Sequence, residues 1–555
     1  MSSQDLISTT DSSQDLRDQL AGDVEVSDHP PVEPRRAWQR LSPFWQNRLV
    51  EALMMLSLGC YYVVGNVNLG GSRLFTLNPL LSLPFLMVFA LLAWYRLPFA
   101  VALLPITIPY YYLLKPVYSH YQFSLAEITL GACVVIALIQ LFLQQNAWPY
   151  RLSWREVRER LGPFAIPVLV FVLAAAISVV IAYARRDALR AFREEIFDPI
   201  LYLLLAFYCL RTRQDVGRLL LALFASAFII TLQGLVQYFL FRHTIAPDPD
   251  GVRRVHALFG SANNIGLFFD YSLPIGIALL VMGHREVFGF LSTWGVRIVI
   301  GVALVPMLLV LYLSQSGGAW VAIACSTLFI VLLSLPNRRL FLLSCLGLLV
   351  VLLAGGFVFR HHIIDFLNRH LSLNGVSTFT KRLYLWESAL KMIRDRPLFG
   401  FGMDNWLCYY SANAVCNNPA MNLHHYWVLY IPGTHTLTGL SDEPTLSHPH
   451  NIFLDVWVSM GIFGLLAFIA VLALITRLFT RILKTLQAVG GEKRDHLRWM
   501  TVGVGAALLA GIIQGQVDSS FLAQDMAFCF WTLVAALLLL RVLSGTSWRK
   551  SPAKS

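Results

Sequence analysis

The sequence predicts an all-α polytopic membrane protein of about 12–14 transmembrane helices, with one long extracytoplasmic loop that bears short helices. Three observations carry this. Hydrophobic residues make up 57% of the 555 residues and charged ones only 14%, against about 25% in soluble globular domains. Mean hydropathy is +0.61. Apolar runs near the ~18 residues that a membrane helix needs recur along almost the whole chain.

Residues 1–36 are polar and acidic, and read as a disordered cytoplasmic tail. The apolar runs then place helices at 49–65, 78–95, 98–114, 123–143, 164–184, 197–210, 219–240, 263–283, 297–313, 319–335, 340–359, 451–475, 500–517 and 526–541. The chain then falls into an N-terminal transmembrane bundle (37–250), a central region with the long loop at 360–450 (251–475), and C-terminal helices with a basic cytoplasmic tail (476–555).

With the N-terminus inside, the inside loops are the basic ones: "PYRLSWREVRER", "RTRQDVGR", "PNRR", "TRLFTRILKTLQAVGGEKRDHLR" and the tail "SWRKSPAKS". Both termini are then cytoplasmic, as the positive-inside bias requires. The net charge of +11 follows from this topology and from anionic lipid, so no nucleic-acid partner is expected. Most of the remaining Lys and Arg fall in three outside segments, 185–197, 241–262 and 360–450. Headgroup contact is one reading of them. The sharper one is an anion-binding cavity, because the planar guanidinium donates two hydrogen bonds at once to a phosphate. Arg186 and Arg190 belong to the first of these segments.

The 360–450 loop is too long and too varied to be a simple connector. "TKRLYLWESALKMIRDRPLFGFGMDNW" predicts a helix with Thr380 as N-cap, an apolar stripe at Leu383, Trp386, Leu390 and Ile393, and a stop at Pro397. Arg382 continues the stripe in the first turn, where the positive helix end would attract an anion as well; snorkelling to headgroups is the alternative. Trp406, Tyr409, Tyr410, Tyr426, Trp427 and Tyr430 suit an interfacial belt or stacking on sugar faces. Cys408 and Cys416 share the loop, where a disulfide is open to them if it is extracytoplasmic.

The loop ends in "SHPHNIFLDVWVSMG", Ser447 to Gly461. Pro449 is suited to a first helical position, which puts His448 near the N-cap and His450 in the first turn. The dipole there favours a neutral imidazole able to accept a proton. A zinc site from His424, His425, His435, His448 and His450 is the weaker reading, because HxH and HH spacings lack nearby carboxylate or cysteine ligands; no metal and no other cofactor is expected. Asp455 lies roughly 140° from His450 on the helical wheel and stays outside the catalytic set. Asp518 is a weaker candidate for acceptor contact or structural hydrogen bonding.

These residues resemble the O-antigen ligase and O-antigen polymerase superfamily. His450, Asn451, Leu454 and Gly461 fit its HNxxLxxxxxxG pattern. Arg382, Trp386 and the turn Pro397, Leu398, Gly400, Gly402 fit the segment upstream. Arg254, Phe259, Gly260 and Asn263, in "RVHALFGSANNIG", fit a third. The likeness is clearest over about 250–475, marking an O-antigen ligase-related catalytic region there. One departure is Gly317, which stands where the family often has arginine.

The resemblance implies a metal-independent glycosyltransferase in the cytoplasmic (inner) membrane. Its donor would be a glycan on polyprenyl (undecaprenyl) pyrophosphate, and its acceptor a sugar hydroxyl, on a lipid A core or on another lipid-linked repeat. His450 would be the base, and Arg382 and Arg254 would stabilise the leaving pyrophosphate. Arg186, Arg190, Asn263, Trp386, His448 and Asn451 would contact substrate, and direct displacement would invert the anomeric centre. The competing class is a transporter or flippase for an anionic lipid-linked solute. It fits less well, because no internal repeat is visible and a transporter does not need so long an outer loop.

Overall fold

A computed structural model describes residues 42–65, 67–69, 72–75, 82–112, 114–118, 121–143, 154–246, 251–283, 291–335, 378–410, 426, 448–488, 492–519 and 521–548. The tail 1–36, the helix expected at 340–359 and much of the 360–450 loop lie outside these residues. The chain divides into two compact units, Met1–Met55 and Leu56–Ser555; the site lies wholly in the second.

The chain is an all-α polytopic membrane protein. Its helices are α1 Pro43–Gly65, α2 Leu83–Tyr95, α3 Leu97–Leu103, α4 Leu125–Leu143, α5 Trp154–Leu161, α6 Ala165–Ile181, α7 Arg185–Ala191, α8 Asp198–Cys209, α9 Arg213–Leu240, α10 Ala262–Met282, α11 Thr293–Ser314 and α12 Gly317–Ser334. Then follow α13 Thr378–Asp395, α14 Leu407–Tyr410, α15 Ile452–Ala488, α16 Glu492–Gln514 and α17 Gln524–Leu543. Two short antiparallel hairpins accompany them: Val67–Leu69 with Ser72–Phe75, and Lys115–Tyr118 with Tyr121–Phe123. Among the described residues nine helices are long and apolar enough to cross a bilayer.

α11 shows how such a helix meets lipid. Val296, Ile300, Leu304, Met307 and Val310 are buried on one face, while Trp294, Ile298, Val302 and Val305 are exposed on the other. A soluble protein does not leave so wide an apolar stripe in water. α10 is the central helix and packs on α16, α12, α11 and α9. Small residues allow the approach: a Cβ on Gly266 would stand 2.8 Å from both Ala319 Cβ and Ser316 Oγ. α17 is also almost wholly buried, against α8 and α16.

Several expected boundaries move, for local reasons. The helix expected at 98–114 breaks into α3 and a 3-10 segment, Leu104–Tyr112, because Pro105 and Pro109 remove N–H donors from the α ladder. α9 begins six residues earlier than the expected 219, at Arg213. A capping box starts it: Thr212 accepts from the Asp215 N–H, and Asp215 accepts from the Thr212 N–H. α15 runs on to Ala488 and kinks at Gly461, whose φ is +70.

Candidate functional site

The site is built where the start of α15 meets the turn between α16 and α17. The amide of Ile452 donates to the Gly515 carbonyl at 2.7 Å, and Asn451 Nδ2 donates to the Gln516 carbonyl at 3.0 Å. Asn451 Oδ1 accepts from the amides of Phe453 and Leu454 at 3.0 and 3.1 Å. Asn451, not His448, is therefore the N-cap, and Pro449 precedes the helix instead of opening it. A short polar side chain reaches back to the first amides, as Pro449 two residues further out and the His448 imidazole three residues out do not. Asn451 was expected to touch substrate; the protein uses both ends of its amide to tie α15 to the turn.

His450 is thus displaced from the first helical turn and stands just ahead of the cap with φ +50, a left-handed conformation that a histidine adopts at a cost. The turn and the cap on either side hold it there. Its Nδ1 lies 2.7 Å from Asp518 Oδ1, which also accepts from the Ser519 amide at 3.0 Å. Burial works to raise the Asp518 carboxyl, but the hydrogen bond and charge of His450, with His448 and Arg382, outweigh it and hold the group below its ordinary range. An ionised carboxylate accepts only, so Nδ1 carries the proton that faces Asp518, and Nε2 is the ring nitrogen turned away from it.

His448 packs edge-on against His450 with ring centroids 4.5 Å apart. Burial and the neighbouring His450 hold its pKa down to about 3, against a smaller opposing pull from Asp518, so it is an uncharged neighbour at neutral pH. Donor atoms of His448, His450 and Asp518 all lie within 4.8 Å of one another, a three-ligand arrangement that a divalent cation could adopt. The 2.7 Å His450–Asp518 contact is closer than the roughly 3.3 Å between two ligands bound to tetrahedral zinc; it is a hydrogen-bond geometry.

α13 brings Arg382 and Trp386. Its buried face is Leu385, Ser388, Ala389, Met392 and Ile393, which pack with Phe401, Trp406, Tyr410 and Val458. The expected stripe is corrected: Leu383 and Leu390 are exposed, and Ile393 is the expected member that is fully buried. Small Ser388 and Ala389 are fully buried on this face, and Ala389 shares its core with Val458 of α15. Thr380 lies inside the helix and is not its cap. Trp406 and Tyr410 stack at 4.9 Å inside this core, so they form neither a belt nor a sugar platform. Cys408 is disulfide-bonded, to a partner outside the described residues; Cys416, Trp427 and Tyr430 also lie outside them.

The Pro397–Gly402 turn fastens α13 to the kink in α15. Phe401 N donates to Val458 O at 2.7 Å, Gly402 N to Ser459 O at 3.1 Å and Ile462 N to Pro397 O at 3.0 Å. A Cβ on Gly461 would collide with the Leu398 carbonyl, and one on Gly400 with the Val458 carbonyl. Backbone meets backbone, and only glycine permits it. Trp386 Nε1 then donates to the His450 carbonyl at 3.4 Å, placing Trp386 against the histidine backbone. Arg382 Nε is buried with no hydrogen-bond partner among the described residues.

Arg254 and Asn263 form a second pair. Arg254 Nη2 donates to Asn263 Oδ1 at 2.7 Å and Nε to the Ser314 carbonyl at 2.8 Å. Arg190 donates to Asp404 Oδ2 at 3.1 Å, and Arg186 is exposed on α7. A cavity of about 330 Å³ joins Arg190 and Asp404 to His448, with Tyr111, Glu194, Glu195, Ser519 and Asp525 in its wall. The Ser519 hydroxyl donates to Asp455 Oδ2, so Asp455 does not pair with His450.

The sequence therefore brings His450, His448, Arg382 and Trp386 to one place, while Asp518, named only as a weaker candidate, proves to be the direct partner of His450. Glu194, Glu195, Asp404 and Asp525 were not foreseen; no local pattern marks them, because the cavity is assembled from six separate stretches of chain. No curated protein matches the chain. The family model described as O-Antigen ligase matches residues 302–469. That span takes in Arg382, Trp386, His448, His450 and Asn451 but leaves out Arg254, Asn263 and Asp518. Over those residues the chain is similar to the O-antigen ligase family.

Proposed function

We propose that the protein is a metal-independent, inverting glycosyltransferase that acts at the extracytoplasmic face of the cytoplasmic membrane. It moves a glycan from polyprenyl (undecaprenyl) pyrophosphate to a sugar hydroxyl of the acceptor. The observation that carries this is the His450–Asp518 bond at 2.7 Å beside Arg382, whose buried Nε has no hydrogen-bond partner among the described residues. A base and an anion-seeking donor at one place suit displacement of a phosphate leaving group.

In the reaction the acceptor oxygen attacks the anomeric carbon as that carbon's bond to the pyrophosphate oxygen breaks. The electron pair leaves with the pyrophosphate, and the hydroxyl proton passes to His450 Nε2. Asp518 holds the ring in the receptive tautomer and stabilises the imidazolium that forms. Arg382 and Arg254 take the charge that builds on the leaving group. The basic inside loops and the disulfide at Cys408 support the extracytoplasmic placement.

The cellular test replaces His450, Arg382 and Arg254 by alanine, one at a time, in a host that lacks the activity, and reads its surface glycan on a gel. Normal protein levels with no chain attachment or growth are expected. Wild-type glycan from His450→Ala contradicts the reading. Chains stranded at full length on the carrier identify a ligase, and single repeats a polymerase.

A further inference from the structure

The cavity beside His448 is acidic. Glu194, Glu195, Asp404 and Asp525 line it with one guanidinium, Arg190, which is already paired with Asp404 at 3.1 Å. Arg254 and Arg382 do not line it. Asp525 is 1% exposed, and apart from the nearby amides of Asp525 and Met526 its carboxylate has no hydrogen-bond partner among the described residues. A buried acceptor left unmatched is costly unless a ligand completes it. Burial, with Asp404, Asp455 and Glu194 nearby, pushes Glu195 well above the usual carboxylate range. A protonated Glu195 both donates and accepts, as a sugar hydroxyl does.

A phosphate does not suit this wall, because its charge would stand against Glu194, Asp404 and Asp525 while the one guanidinium, Arg190, is already engaged by Asp404. A polyol does fit, and an ammonium fits better. The cavity also reaches His448, and through its ring His450, 4.5 Å away between centroids.

We propose that this cavity is the acceptor subsite, and that it takes a sugar presenting hydroxyl or ammonium donors and carrying no phosphate or carboxylate near the accepting hydroxyl. The proposal rests on the reading of His450 as the base of glycosyl transfer. It deepens that reading by separating the two substrates: the anionic donor is held by arginines, and the acceptor by carboxylates.

The test measures binding without requiring transfer. Full-length protein in lipid nanodiscs is titrated with methyl glucoside, methyl glucosaminide and methyl glucoside 6-phosphate, and contact is read by saturation-transfer NMR. The glucosaminide should bind most tightly, the glucoside next, and the phosphate ester at least about tenfold more weakly than the glucoside. Asp525→Asn, which removes the charge, and Glu195→Leu, which removes both the donor and the acceptor, should each weaken glucosaminide binding about tenfold. Binding of the phosphate ester as tight as that of the glucoside overturns the proposal, on wild-type protein alone. So does unchanged glucosaminide binding in both variants. A protein that binds as expected but transfers no glycan from any polyprenyl-pyrophosphate donor contradicts the transfer reading and leaves the subsite standing.

Discussion

His450 and Asp518, 68 residues apart in the chain, share a hydrogen bond of 2.7 Å between Nδ1 and Oδ1. One residue precedes α15 and the other sits in the turn that links α16 to α17. Replacing Asp518 by asparagine keeps the shape but removes the charge that fixes the tautomer. Transfer rate should fall by about two to four orders of magnitude with donor KM little changed. Steady-state kinetics on purified protein check this, and equal losses in donor binding would point to a structural role instead.

The contact between Leu398 and Gly461 predicts two opposite outcomes for one kind of substitution. Gly461→Ala puts a Cβ into the Leu398 carbonyl at φ +70 and should destabilise by about 3 kcal/mol or more. Nothing lies within 4 Å of a Cβ on Gly317, so Gly317→Ala should stay within about 1 kcal/mol of wild type. Melting temperatures of the two variants in the same nanodiscs make the comparison.

Acid should weaken the fold through His448 and Asp518. The ordinary imidazole value is 6.5 and burial lowers His448 to about 3, so between those values the unfolded chain binds the extra proton. Stability therefore falls as pH drops through that window, by about 2–3 kcal/mol at about pH 4.5. Asp518, depressed below its ordinary 3.8, adds in the same direction only below that value. His448→Gln should flatten the decline in thermal stability between neutral pH and about pH 4.5; an unchanged slope contradicts the assignment.

The three donor atoms of His448, His450 and Asp518 invite a chelation experiment. A direct imidazole–carboxylate bond predicts full transfer activity after exhaustive treatment with EDTA. Loss of activity, restored by one divalent cation and not by others, would show that the trio holds a metal.

Much of this was legible in the chain. The apolar runs gave the spanning helices because bilayer thickness sets their length, and the HN motif pointed to His450. The partner Asp518 was not legible as such: it stands in a tight turn whose register against α15 is set by Asn451 and Gln516, not by any spacing in the sequence. The rotation of α13 was misread for a similar reason. Periodicity favours large apolar side chains, whereas the buried face includes small Ser388 and Ala389 and leaves Leu383 and Leu390 exposed. The pairing of Arg190 with Asp404, more than two hundred residues along the chain, was likewise not visible from spacing.

The most direct measurement is in vitro transfer from a defined polyprenyl-pyrophosphate-linked glycan by purified protein in nanodiscs, comparing wild type with His450→Ala. The wild type should release pyrophosphate lipid and form the new glycosidic bond with inverted configuration, and His450→Ala should form none while melting as the wild type does. A His450→Ala protein that transfers at the wild-type rate contradicts the account at its centre.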